Sequence, residues 1–509
     1  MPLPMTDPGP LRICARLLAA PALLLSLLAL PLTAAAQSQP LSASDWLSGS
    51  VRGPARESSA WRPGDAPPPD RPGTRPQAVA TSGAVGPVQV TRLDQGDPDQ
   101  TGTQSPRRAG LPVDLWAGSD PQRLAEMILS TPARLPSMQA LLRRVLTAQL
   151  APPSGEAAAG AARGQLFLAR ADRLLDMGAL DEAQALLVAA GPGQPEIFRR
   201  MFDIALLEGD ESRACAIMNG TPGIAPSFSA RIFCLAQTGD WAAAAVSLHG
   251  AEALGVIDER QAILLTHFLD DAFVDSPDLL DPADRMTPLE FRIHEAVGQP
   301  LPTLPLPVAF AQSDLRLNSG FKARLEAAER LARSGALPPA ALRQIYGEQR
   351  PAASGGVWER ASVLRTLEAA LAGGDLTQAL PRAFDEFRAA GMADLLAGMV
   401  AVDLPADPAS DISDPRAAEI ADLLRAFAGL PGAAVPEPAP ELAAPVPPPP
   451  AAQRGEALLA AMTDIDAGLE GDLARAARGI AMLRALGLAE DADRAQTQIA
   501  LMPQMAASP

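Results

Sequence analysis

A short turn recurs along this chain and limits what it can fold into. Gly178-Ala179-Leu180-Asp181-Glu182-Ala183 is followed by Gly209-Asp210 and then by Gly239-Asp240, with the glycines 31 and 30 residues apart. Ala183, Ala214 and Ala244 each lie five residues after their glycine, and Leu187, Met218 and Leu248 nine after. Pro195 and Pro226 lie seventeen after the first two glycines. A period of about 30 residues is that of a stacked helical hairpin. Each glycine supplies the left-handed residue that stops one helix, Asp210 or Asp240 can cap the next, and the small alanine lets paired helices approach. The turn returns at Gly335-Ala336-Leu337, at Gly374-Asp375-Leu376 and at Gly471-Asp472, with Ala379 and Ala476 five residues beyond the last two glycines. The expected fold is therefore all-α, an irregular α-solenoid of helical hairpins broken by proline-rich segments.

These turns, with the residues after them, resemble the tetratricopeptide class of helical repeats. Gly178, Ala183, Leu187, Ala190 and Pro195 stand at spacings of that pattern. Gly209, Ala214, Met218 and Pro226 repeat it, and Gly239, Ala244, Leu248 and Ala251 do so without the proline. The first helices lack the family's Trp, Gly and Tyr positions, Tyr346 being the one tyrosine of the chain. The resemblance implies a stack of helix pairs that offers a surface for binding and no built-in chemistry.

The N-terminus reads as an export signal. Arg12 and Arg16 precede an apolar run from Leu17 to Leu32, which closes on Ala34-Ala35-Ala36-Gln37. That pattern predicts cleavage after Ala36 and a periplasmic, soluble product; the alternative is an uncleaved N-terminal anchor, since the run approaches the roughly 17-residue lower limit of a membrane span. No second segment is long and apolar enough to cross a bilayer, so no stable membrane insertion is expected after cleavage. Losing residues 1–36 moves the net charge from −17 to −18. So acidic a body repels nucleic acid and anionic lipid. Its cations are nearly all arginine, Lys322 being the single lysine, which reads as a GC-rich bacterial coding bias.

Residues 37–110 are rich in Pro, Gly, Ser, Asp and Arg, a composition that predicts disorder. Two islands stand out: Trp46-Leu47, a candidate docking motif or else an isolated hydrophobe, and Val88–Leu93, which alternates like a strand. A helical repeat domain is expected over 111–430, clearest over 164–255. Its predicted helices run over 121–129, 138–150, 164–177, 181–190, 196–208, 210–218, 226–238, 240–250, 258–273, 288–297, 321–334, 338–348, 357–373, 375–400 and 415–429. Gln299–Pro307 alternates Pro with apolar residues and must be extended, either lying across helices or acting as a spacer. Pro381, six residues into a predicted helix, should kink it or delay its start. A Pro/Ala-rich linker spans 431–453, and a C-terminal helical hairpin at 454–503 is expected to dock as a terminal repeat.

With Cys14 gone, Cys215 and Cys234 remain, placed on neighbouring predicted helices. An exported pair can oxidise, and a disulfide here would stabilise by about 3 kcal/mol in the chain-entropy model; the alternative is two separate buried thiols. Only His249, His267 and His294 exist, none at metal-ligand spacing. There is no nucleophile elbow, phosphate-cradling loop or zinc cluster. The sequence thus assigns no catalytic, metal or cofactor residues, and no cofactor. Two functions remain: a non-enzymatic exported scaffold or adaptor that binds a protein partner in the bacterial cell envelope, or an accessory superhelical protein of lytic-transglycosylase-type, peptidoglycan-processing machinery. The first fits the repeats better, because only 4% of residues are aromatic and no cleft domain with a candidate acid is visible. Oligomeric state is left open.

Overall fold

The computed structural model describes residues 46–47, 97–154, 163–270, 280–433 and 446–506, all within one unit, Leu41–Pro509. Residues 1–36, expected to be an export signal, the Val88–Leu93 island and most of the Pro/Ala-rich linker lie outside these residues. Among the described residues the fold is all-α, with a single isolated β-bridge between Gln104 and Ala148.

The recurring turns end helices through local backbone chemistry. Gly178, Gly209, Gly239, Gly335 and Gly471 have φ of 77°, 78°, 86°, 78° and 94°, the left-handed conformation that glycine adopts without cost. At the first, the Gly178 and Ala179 amides return to the carbonyls of Leu175 and Leu174; at the third, Gly239 and Asp240 return to Ala236 and Leu235. The turn expected at Gly374 is shifted by one residue. Gly373 takes the positive φ of 122°, while Gly374 is required because a Cβ there would lie 2.9 Å from Ala370 Cα. The Asp240, Asp375 and Asp472 carboxylates cap the helices that follow, accepting from the amides of Ala243, Thr377 and Arg475. Asp210, expected to do the same, makes no cap bond.

Helices α1–α11 span Pro106–Ala109, Pro121–Ser130, Pro136–Thr147, Gln165–Asp176, Leu180–Ala190, Pro195–Glu208, Glu211–Gly220, Phe228–Gln237, Trp241–Ala253, Glu259–Leu269 and Pro288–Ala296. From α4 onward consecutive helices pack together, until α11 folds back against α6. Helix α6 is consequently buried on opposite faces. Ile197, Met201, Ile204 and Leu207 join the core around α4 and α5, while Phe198, Phe202 and Leu206 join the core of α7–α11.

Ordered structure starts upstream of Leu111. Residues 97–110, assigned by composition to the disordered region, are tied down by two buried charges. Asp99 accepts from the amides of Phe167 (2.7 Å) and Gly164 (3.2 Å) at the start of α4. Arg170 donates to the carbonyls of Leu146, Ala148, Asp99 and Thr101. Burial pulls the fully enclosed Arg170 down to about 10 and raises Asp99. Helix α3 therefore stops at Thr147, short of the expected residue 150, where its last carbonyls meet Arg170 and the Thr103 amide.

The second half runs through α12–α19: Ala311–Asp314, Phe321–Arg333, Pro339–Glu348, Val357–Leu371, Leu376–Ala389, Ala393–Val400, Pro408–Asp411 and Pro415–Phe427. The expected helix over 375–400 is two, divided at Gly391 (φ 66°). Pro381 sits inside α16 without delaying its start; the carbonyl it deprives of a partner is that of Thr377, in the first turn. Gln299–Pro307 contains no helix and lies along α13, where the Arg330 guanidinium donates to the carbonyls of Thr303 and Leu306. The chain then covers the turn edge of the first hairpins. Gln312 Nε2 donates to Gly178 O (2.7 Å), Ser313 Oγ to Leu207 O (2.8 Å) and Ser334 Oγ to Met177 O (2.7 Å).

The C-terminal region is three helices rather than two: α20 (Arg454–Ala467), α21 (Leu473–Ala485) and α22 (Ala489–Met505), separated at Gly471 and Gly487. Helix α20 packs on α2, and α22 packs on both α3 and α19. Gly479 allows the close approach of α20 and α21, since a Cβ there would lie 2.5 Å from Ala461 O.

The turn glycines differ in what surrounds them, which predicts a graded cost. A Cβ on Gly239 would meet nothing within 4 Å, whereas one on Gly178 would lie 2.7 Å from Leu331 Cδ2. Gly239→Ala should cost about 1–2 kcal/mol from the left-handed backbone alone. Gly178→Ala should cost about 2–4 kcal/mol, because overpacking adds to that strain. Chemical denaturation of both variants checks the order; equal costs would mean that the returning chain does not press on the first turn.

Candidate functional site

The described structure gathers residues from five helical segments around one cleft of about 410 Å³. Helix α3 contributes Ser137, Gln139 and Arg143, and the α13–α14 turn contributes Gly335, Leu337 and Pro338. Leu395, Ala397 and Val402 come from α17 and the turn after it, Phe427 and Leu430 from the end of α19, and Arg494 and Gln498 from α22. The lining is an apolar base with polar edges. Leu395, Ala397 and Phe427 are buried, while Val402 is 72% exposed.

The polar edge is held by specific bonds. Gln498 Oε1 accepts from both the Ser137 amide (3.1 Å) and Oγ (2.6 Å). Gln139 Nε2 donates to Arg333 O (2.9 Å), and Gly335, at a φ of 78° that favours glycine, lies close beneath the Gln139 side chain. Arg143 donates to Gly335 O (3.0 Å) and pairs with Glu182; burial lowers its pKa. Burial raises the pKa of the Asp394 carboxyl, opposed by its own helix N-terminal amides and by Arg333. Arg494 is exposed and makes no ion pair among the described residues. Such a cleft can hold an apolar segment and place a carboxylate near an arginine.

A second concavity of about 580 Å³ is lined by Asp258, Glu259, Arg260, Ile263 and His294. His294 is 1% exposed and its Nδ1 has no hydrogen-bond partner. Burial lowers its pKa, assisted by Arg260 and opposed by Glu290, which favours the neutral ring. His249 is exposed, 3.4 Å from Glu252. No three His, Cys, Asp or Glu are placed to hold a metal among the described residues.

The residues singled out from sequence fall in separate places. Cys215 on α7 and Cys234 on α8 form a disulfide with a Cα–Cα distance of 5.0 Å, fully buried beneath the packed pair. Trp46 and Leu47 are 1% and 2% exposed, with the indole edge-to-face on Phe310 at 5.6 Å between centroids. Of the turn glycines, Gly178 and Gly209 contact the returning chain and Gly239 is open. Of the residues singled out from sequence only the Gly335-Ala336-Leu337 turn reaches the cleft, which was otherwise not visible because its other members are spread over residues 136–498. Missed too was a buried cluster in the second half: Glu329, 2% exposed, accepts from Tyr346 Oη (2.7 Å) and from Arg360 (2.7 and 2.8 Å). Burial and the adjoining carboxylate keep the Tyr346 phenol protonated.

No helix among the described residues is long and apolar enough to cross a membrane. No family model matches the chain, and no curated protein or solved structure matches it.

Two measurements follow from these groups. Cys215→Ser with Cys234→Ser should destabilise the chain by about 3 kcal/mol in denaturant; two free thiols in the unreduced, denatured protein would contradict the bridge. Glu208 reaches the surface, yet partial desolvation and the nearby carboxylates of Asp181 and Asp210 push its pKa up to about 7. Between the ordinary value and about 7 the folded chain keeps a proton that the unfolded chain has released, so stability falls as pH rises through that window. Glu208→Gln should remove this slope and gain roughly 1 kcal/mol at pH 8, the full shift being cut by solvent screening. A variant with an unchanged pH–stability profile would refute the assignment.

Proposed function

We propose that this chain is an exported, non-catalytic helical scaffold or adaptor of the bacterial cell envelope, an irregular α-solenoid of tetratricopeptide-like hairpins. It would hold a protein partner through a short segment carrying apolar side chains and a carboxylate. The observation that carries this reading is the cleft between α3, α14, α17, α19 and α22, whose apolar base lies beside the unpaired guanidinium of Arg494. Peptide recognition of this kind gains its affinity from a few buried anchors, with the charge fixing orientation. The acidic net charge of −17 disfavours nucleic acid as the partner. Export rests on the N-terminal charge, apolar run and Ala34-Ala35-Ala36 pattern.

A photo-crosslinking side chain at position 402, introduced in the native host, tests the cleft. One defined envelope protein should be trapped, and the adduct should be lost with Arg494→Glu but kept with the same reversal at the exposed Arg350. The mature chain should begin at Gln37 in the periplasmic fraction. An adduct indifferent to Arg494, no adduct, or a cytoplasmic protein with an intact N-terminus would overturn the reading.

A further inference from the structure

Of residues 1–96, only Trp46 and Leu47 belong to the described structure, and both are almost completely buried. They occupy an apolar slot whose walls include Phe310, from the short 3-10 turn Val308–Phe310, and Phe291 of α11. We propose that this slot is a recognition site for a short peptide bearing adjacent tryptophan and leucine, and that Trp46-Leu47 is its tethered, exchangeable occupant.

The walls also have contacts of their own. Phe310 packs edge-to-face on Phe291 at 5.4 Å as well as on Trp46. The chain just after Phe310 is anchored to the first hairpins by Gln312 on Gly178 O and by Ser313 on Leu207 O. The chain before it is gripped by Arg330 through the Thr303 and Leu306 carbonyls. A slot fixed at both ends persists when emptied, which is the condition for a binding site rather than a core that forms only around its filling.

The occupant's indole, by contrast, is held by apolar contact among the described residues. Trp46 Nε1 is buried with no hydrogen-bond partner, although a buried indole N–H ordinarily finds an acceptor. Its retention is therefore owed to apolar burial and to its covalent connection to the rest of the chain. Covalent connection gives this copy an advantage over the same two side chains on a separate polypeptide. The same two side chains on another polypeptide can then compete. This site is separate from the cleft and does not depend on it.

The test uses the full chain with Trp46→Ala and Leu47→Ala, and a labelled peptide of residues 41–50, Leu-Ser-Ala-Ser-Asp-Trp-Leu-Ser-Gly-Ser. The double variant should keep a cooperative melt and bind the peptide roughly 10- to 100-fold more tightly than the unaltered chain, in which the tethered copy competes. A peptide with Ala in place of Trp should not bind. Equal binding by the two proteins, no binding to the variant, or loss of the cooperative melt on vacating the slot would each overturn the proposal. The last result would make Trp46 an ordinary core residue.

Discussion

Asp466, buried near the end of α20, accepts from the Arg134 amide (3.0 Å) and Nε (2.7 Å), and the same guanidinium reaches Glu470 (2.9 Å). The rest of the arrangement depends on this clamp, because it joins the last helices of the chain to the first. The hydrogen bond to Asp466 raises the Arg134 pKa. Around it lie the Ser137–Gln498 bonds and the Arg144–Asp491 pair (2.6 Å). Truncating either member of a buried pair leaves the other without its counter-charge, a loss of about 3–5 kcal/mol; the half-exposed Arg134 places this one toward the lower end. Charge alone does not make the junction: Gly455 lets α20 lie directly on Trp116, since a Cβ there would be 2.6 Å from the ring.

Closure is what gives the cleft its walls. Helix α22 shares Ile499 with the core of the first hairpins, and Leu501 and Met505 with the core of the second half. Its Arg494 and Gln498 then face the same space as α3, α17 and α19. A second junction, from Gln312 to Ser334, sets the second half against the turn edge of the first hairpins. That edge is filled by the chain itself, so the surface left for a partner lies elsewhere. The second junction is made through side-chain hydrogen bonds to backbone carbonyls, whereas the C-terminal one adds ion pairs to its apolar contacts.

Much of the local structure was legible in sequence because it is chemically local. Gly178, Gly209 and Gly239 announce left-handed helix stops, and Pro121, Pro195, Pro288 and Pro415 open helices at positions where their missing amide costs nothing. The all-α class follows from those signals. Boundaries failed where a distant group decided them: α3 ends at Thr147 because Arg170, 22 residues beyond Ala148, takes its carbonyls. Composition misled at residues 97–110, where Asp99 supplies what apolar side chains do not. The cleft had no sequence signature, since Ser137 and Gln498 are 361 residues apart. Trp46-Leu47 stood out as aromatic in a polar stretch, but nothing in two residues could indicate Phe310 as their neighbour.

The central claim is that the C-terminal helices hold the chain closed, and cutting the connection to them tests it most directly. A specific protease site placed within residues 434–445 of the full chain would separate α20–α22 covalently from the rest. After cleavage at micromolar concentration, gel filtration should show the two pieces eluting together, with Arg134→Ala weakening the association. Elution of the C-terminal piece on its own from the otherwise unaltered chain would contradict the closed arrangement, and with it the cleft.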